Sequence, residues 1–362
     1  MGFKCGIVGL PNVGKSTLFN ALTTAGAVAA NYPFATIEPN VGVAFVPDRR
    51  LDRIAAIVSP RAVVPTAMEF VDIAGLVEGA SEGEGLGNQF LAHIRETQAI
   101  AHVVRCFDDP DVAHVRGAVD PATDIVTVET ELALADLATS ERALDRHRRK
   151  ARSGDRESAT AAADLERITA HLDQGLPVRT LQPSPSATPH VRELGLLTAK
   201  PVMFVANVDD SPEAKRHTEV VRSIAASENA PVVVISGAHE AEIAELDESD
   251  KDEFLAEIGE DEPGLHRFIR TGHDLLGLGT FFTASEKEAR AWTFRLGMRA
   301  PEAAGIIHTD FEKGFIRAEV IAYDDFVAHN GEAGAKDAGR WRLEGKDYLV
   351  AEGDVIHFRF NL

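Results

Sequence analysis

Residues 9–16 read Gly9-Leu10-Pro11-Asn12-Val13-Gly14-Lys15-Ser16 and meet every fixed position of the phosphate-loop pattern G-x-x-x-x-G-K-[ST]. Upstream, residues 3–8 form a short apolar run that predicts a buried strand. Downstream, residues 16–25 (STLFNALTTA) predict the start of an amphipathic helix. Strand, glycine loop and helix in that order turn successive backbone N–H groups and a helix N-terminus toward one point, which is what a chain of phosphates needs. A chance glycine turn between a strand and a helix is the alternative, and it would not require the lysine, the hydroxyl or the second glycine. The stretch therefore predicts a nucleotide cradle made by Asn12, Val13, Gly14, Lys15, Ser16 and Thr17. Lys15 is expected to reach the β- and γ-phosphates as part of the catalytic machinery, and the Ser16 hydroxyl to ligate Mg²⁺.

Working outward, the 362 residues suggest about two to three domains. Thirty-seven basic residues against 57 acidic ones leave a net charge of −20, which rules out a surface that is nucleic-acid-binding throughout. Any such contact must come from a local basic patch. The two cysteines, Cys5 and Cys106, fall in predicted strands and suit buried apolar roles in a reducing, cytoplasmic compartment. No membrane span and no signal peptide are expected. Gly6 stands where an N-myristoylation signal starting at Gly2 needs Ser or Thr.

The first 125 residues alternate strand signals (42–46, 67–72, 101–107) with glycine-rich loops and a helix over 88–98, the pattern of an α/β sheet domain. From 127 to 172 the strand signals cease. Alanine, leucine, glutamate and arginine at helical spacing, broken at Ser153-Gly154-Asp155, predict two antiparallel helices. Strands resume at 201–207 and 231–236, followed by helices over 240–262 and 265–276. The expected division is a nucleotide-binding domain of residues 1–125 and 200–276, an inserted helical segment of 126–199, and a β-rich domain of 277–362 with strands at 280–283, 291–296, 315–321 and 355–360.

Further site candidates follow in an order that makes chemical sense. Thr36 lies in a loop before the second strand and is a candidate metal ligand, or else a plain turn threonine. Asp72-Ile73-Ala74-Gly75 ends an apolar strand. Asp72 is expected at the Mg²⁺ and the Gly75 N–H at the γ-phosphate, as a catalytic sensor. Five glycines between residues 75 and 87 give that loop little conformational preference of its own, as a phosphate-ordered switch or a surface linker would have. Asn207-Val208-Asp209-Asp210 follows a strand and resembles the guanine-reading N-K-x-D tetrapeptide with its lysine replaced by Val208. Asn207 and Val208 are candidate nucleotide contacts, and the base is left open.

The segments GLPNVGKST, NYPFATIEPN, DIAGLVEGASEGEGLGNQFL, RCFDD and SGAHEAEIAEL, with AWTFRLGMRAPEAAGIIHTDFEKGFIRAEV and WRLEGKDYLVAEGDVIHFRF near the end, together resemble the YchF (Obg-like ATPase) branch of the translation-factor-class P-loop proteins. The resemblance spans essentially the whole chain. It implies an α/β P-loop NTPase domain, an inserted antiparallel helical hairpin and a C-terminal β-grasp (TGS, ubiquitin-like) domain. It also implies ATP as the hydrolysed nucleotide and a role at the ribosome, on the large subunit or the 70S particle. Asp210 departs from the N-x-x-E usual in the family and moves the segment toward a guanine reader. GTP hydrolysis, or a weakly catalytic ribosome-binding scaffold using ATP as a structural ligand, are the alternatives.

Where a Ras-type GTPase carries a water-orienting glutamine, this chain has Leu76, so slow intrinsic hydrolysis is expected. His114, in the loop after the strand ending at 107, is the candidate water-positioning residue, with an ordinary loop histidine as the alternative. Asn12 either stabilises the loop or helps hold K⁺ beside the phosphates. Arg142, Arg146, Arg148, Arg149, Lys150 and Arg152 crowd the end of the first predicted long helix. They read either as a solvated helix end or as phosphate contacts to ribosomal RNA.

Overall fold

The computed structural model describes residues 3–26, 40–73, 86–112, 117–181 and 187–361. It divides into two compact units. The first comprises Met1–Ala44 and Glu69–Gly272, the second Phe45–Met68 and His273–Leu362. The chain opens with β1 (Lys4–Val8), α1 (Lys15–Gly26) and β2 (Val41–Phe45), then α2 (Arg49–Val58), β3 (Ala62–Val64) and β4 (Ala67–Asp72). It continues with α3 (Leu86–Glu96), β5 (Ala99–Arg105), the long α4 (Pro121–Arg152), α5 (Arg156–Leu172) and α6 (Ala187–Leu194). After β6 (Val202–Asn207), α7 (Pro212–Ser227) and β7 (Val232–Ile235) come α8 (Gly237–Glu245), α9 (Glu248–Ile258) and α10 (Gly264–Leu275).

The first unit is built on a six-stranded sheet in the order β2-β4-β1-β5-β6-β7. Neighbours from β4 through β7 run parallel. The central strands β1, β5 and β6 are almost wholly buried and apolar, as a parallel sheet covered on both faces requires. β1 lies between β4 and β5, so the loop after β1 leaves the middle of the sheet. Cys5 and Cys106 are both free and buried, and burial raises each thiol to about 12.

The helices predicted around the Ser153-Gly154-Asp155 break form as α4 and α5. Asp120 caps α4 ahead of Pro121, Gly154 turns the chain at φ +90°, and Asp155 caps α5. The two helices share a core of Ala133, Ala143, Leu144, Ala162, Leu165 and Ile168. Arg148 reaches across to Glu166 (2.8 Å), a pairing 18 residues apart in sequence that antiparallel packing requires. This pair groups with the first unit.

The second unit adds β8 (Leu278–Ala284), β9 (Glu288–Arg295), α11 (Ala300–Ile307), α12 (Thr309–Lys313), β10 (Phe315–Ala322), α13 (Tyr323–Ala328), α14 (Glu332–Asp337), β11 (Arg342–Glu344) and β12 (Asp354–Phe360). Its mixed sheet runs β11-β10-β12-β8-β9-β3. The strands expected from sequence are present, lengthened by one to three residues. The short helices were not expected. In α11 the cause is alanine packing, because Ala300, Ala303 and Ala304 lie on one face and are fully buried.

The excursion Phe45–Met68 corrects the sequence division, which placed it in the first domain. β3 pairs in parallel with β9, and Leu51 and Ile54 of α2 enter a core with Phe282, Ala291 and Ile321. Among the described residues no helix is long and apolar enough to cross a membrane.

Candidate nucleotide site

In a parallel sheet all strand carboxyl ends lie along one edge, and loops leaving neighbouring strands there enclose a crevice. The loops after β1, β5, β6 and β7 meet in this way. They surround a cavity of about 580 Å³ whose walls include Lys15, Ser16, Thr17, Phe107, Asn207, Val208, Asp210 and His239. Every segment that sequence reading tied to the nucleotide and that the structure describes, apart from Asp72, contributes to this wall. Thr36, Gly75 and His114 lie outside the described residues.

Asn207 is the brace of the site. It is 4% exposed at the end of β6. Its amide Nδ2 donates to the Val13 carbonyl (2.9 Å), and its Oδ1 accepts from the Gly237 N–H (2.9 Å). One side chain thus ties the phosphate loop to the start of α8. Gly14 makes the close approach possible. Its φ is +93°, and a Cβ there would sit 2.1 Å from Asn207 Nδ2. Asn207 lines the cavity as sequence reading expected, but both ends of its amide are engaged with protein.

Lys15 folds back over the loop, donating to the carbonyls of Gly9 (3.0 Å) and Leu10 (2.6 Å). Burial pulls its ammonium down to about 8, opposed by the charge of Asp72. Asp72 is held above the usual carboxylate range by burial, opposed in turn by Lys15. Its Oδ1 is buried and accepts no hydrogen bond from the described residues. Ser16 and Thr17, in the first turn of α1, are exposed toward the cavity. A buried carboxylate oxygen without a donor among the described residues, at the end of the strand beside β1, is the kind of hard oxygen ligand a divalent cation takes.

At the far end of the cavity Asp209 and Asp210 differ. Against the cost of burial, hydrogen bonds from Ser211 (Oγ, 2.5 Å) and from the amides of Asp108 and Ser211 (both 3.1 Å) hold the Asp209 carboxyl low. Asp209 therefore fixes the loop. The Asp210 carboxylate is 86% exposed, and His239 Nε2 lies 3.4 Å from it. Sequence reading missed His239, which becomes visible only when β7 places Ser236-Gly237-Ala238-His239 beside β6.

It also gave no role to Arg105, the largest fully buried side chain among the described residues. An arginine closing the apolar run Ala99–Arg105 was the available signal. Away from the cavity, Arg142, Arg146, Arg148, Arg149, Lys150 and Arg152 are all exposed at the end of α4.

A phosphate loop after the central strand of a parallel sheet, braced from the neighbouring strand and opening on one crevice, defines a P-loop protein of the GTPase-like α/β class. Comparisons with known proteins agree and go further. A family model described as "50S ribosome-binding GTPase" matches residues 4–133. The model YchF-GTPase_C, described as "Protein of unknown function (DUF933)", matches residues 278–361. The "Ribosome-binding ATPase YchF" of Haemophilus influenzae is 59% identical over 363 residues, and that of Bacillus subtilis 52% over 366, with all of both chains covered in each case. The solved "Structure of the Schizosaccharomyces pombe YchF GTPase" superposes with a TM-score of 0.88 at 35% identity, covering 99% of this chain and 98% of that one. The chain belongs to the YchF family.

Proposed function

We propose that this protein is a slow, Mg²⁺-dependent ATPase that acts on the ribosome in the cytoplasm. The observation that carries the proposal is the phosphate loop braced by Asn207 over one crevice, with Asp72 ending the strand next to β1, in a chain matched over its full length by relatives named ribosome-binding ATPases. Backbone N–H groups of residues 12–17 hold the phosphates, and Lys15 exchanges its two loop carbonyls for phosphate oxygens. Ser16, Thr36 and Asp72 hold the Mg²⁺, which when bound neutralises phosphate charge. The Gly75 N–H senses the γ-phosphate. His114 orients water in place of the glutamine that Leu76 replaces. Asn12, whose backbone is left-handed at φ +62°, is the residue that would share a K⁺ with the phosphates. The second unit is read as a TGS domain and α4–α5 as a hairpin that, together with it, contacts the ribosome.

A second reading, GTP hydrolysis, draws on one observation. Asp210 keeps an exposed carboxylate where guanine readers need one, and the family model and the yeast structure carry the word GTPase. Against it stands Val208, which supplies no ammonium. Single-turnover hydrolysis of ATP and GTP with and without ribosomes tests the assignment. Ribosome-stimulated ATP hydrolysis is expected. Stimulated GTP hydrolysis alone would replace ATP with GTP, and no stimulation of either would reduce the nucleotide to a structural ligand.

A further inference from the structure

Arg105 closes β5 with its guanidinium only 1% exposed, directly behind the phosphate loop. Such a permanently charged group is costly to bury, and proteins normally pair it with a carboxylate. Among the described residues no carboxylate lies within ion-pair distance of it. It donates instead to three main-chain carbonyls, from Nε to Phe107 (3.1 Å), from Nη1 to Asn12 (3.5 Å) and from Nη2 to Asp109 (3.3 Å). Its Cζ lies 4.5 Å from the centroid of the Phe107 ring. One planar fork therefore joins the phosphate loop to the loop after β5, and both loops line the cavity. Asn12 has a left-handed backbone (φ +62°), and Arg105 is a donor to its carbonyl. In a trans peptide the C=O and N–H point opposite ways, so an Asn12 carbonyl turned toward Arg105 sets the Val13 N–H facing away from it.

We infer that Arg105 is a positioning residue that presets the phosphate cradle through the Asn12 carbonyl and fixes the loop after β5 to it. The inference rests on the nucleotide reading above. Lysine cannot replace it, because an ammonium is a point charge without the planar fork that reaches three carbonyls. Arg105 acts through the cradle and not through the base, so its loss weakens ATP and inorganic tripolyphosphate alike. It acts on ground state and transition state equally, so KM should rise while kcat holds.

The test is calorimetric binding of ATP and of tripolyphosphate, with steady-state hydrolysis, for the wild-type chain and for Arg105→Lys and Arg105→Ala. The account expects both ligands to bind Arg105→Lys about tenfold more weakly, the loss of one charged hydrogen-bonding group. It expects kcat to change by less than about threefold, and guanidinium ion, at concentrations far below denaturing ones, to restore affinity to Arg105→Ala. Unchanged affinity in a folded Arg105→Lys, or loss confined to ATP with tripolyphosphate unaffected, overturns the inference. Should the Arg105 variants fail to fold, Phe107→Leu removes the ring beneath the guanidinium, and unchanged tripolyphosphate affinity in it overturns the inference equally. A wild-type chain that binds neither ligand would instead overturn the nucleotide reading itself.

Discussion

At the scale of single residues, the site is organised around charges kept out of water. The Lys15 ammonium is drawn down to about 8 by burial that the neighbouring Asp72 only partly offsets. Phosphates favour the charged form, so binding near that pH must take up a proton. ATP affinity is therefore expected to fall as pH rises through about 8, as followed by calorimetry between neutral and alkaline pH. Lys15→Arg, charged throughout, should show no such fall. A wild-type affinity that stays flat would contradict the burial of the ammonium. For stability the sign is opposite. A depressed lysine means the native state binds fewer protons than the unfolded chain above about 8, so stability rises with pH there until the unfolded lysine also titrates. The residues legible in sequence were those with short fixed spacings, Gly9 to Ser16 and the strand-terminal Asp72. Asn207 was legible as a candidate nucleotide contact, but not as a brace to Val13 across 194 residues of sequence. Arg105 offered only the signal of an arginine closing an apolar run, because its contact with the Asn12 carbonyl, 93 residues away, is set by tertiary packing.

At the scale of elements, α4 makes two separable predictions. Its base carries Glu129, which with Glu228 beyond α7 shares the guanidinium of Arg179. Burial, set against the charge of Arg179 and reinforced by that of Glu228, pushes Glu129 up to about 7. The native state therefore binds a proton that the unfolded state releases between about 4.5 and 7, and stability should fall with rising pH across that window. Glu129→Gln removes the titration. Chemical denaturation should show a flatter pH profile for the variant, and an unchanged slope would contradict the raised Glu129 carboxyl. The distal end of α4 concerns partners. Arg148 is committed to Glu166, whereas Arg149, Lys150 and Arg152 have no ion-pair partner among the described residues. Reversing Arg149, Lys150 and Arg152 to glutamate should abolish co-sedimentation with ribosomes, and in the wild type binding should weaken steeply with salt. Unaltered co-sedimentation would reduce the cluster to a solvated helix end. The two helices were legible because Ser153-Gly154-Asp155 breaks a long periodic stretch. Helices such as α11 were not, because alanine faces carry little hydrophobic contrast.

At the scale of the molecule, the chain is two units of different construction, and the boundary between them is the part that local reading could not place. β3 is three residues long and pairs with β9, more than 220 residues later, so nothing in residues 45–68 alone assigns it to the second sheet. The alternation of strands and helices made the α/β character of the first sheet legible, whereas its strand order, with β1 central, comes from the tertiary pairing. What the whole molecule leaves to chemistry is the identity of the base, because the phosphate end is built like any P-loop and the far end is not. Val208 supplies no ammonium, the Asp210 carboxylate stands in solvent, and His239 lies beside it. The central claim is ATP-dependent action at the ribosome, and parallel titration of non-hydrolysable ATP and GTP analogues, with and without ribosomes, tests it most directly. ATP analogue binding at least about tenfold tighter than GTP analogue, with the preference kept or sharpened by ribosomes, is expected. Equal or tighter binding of the GTP analogue on the ribosome would contradict it.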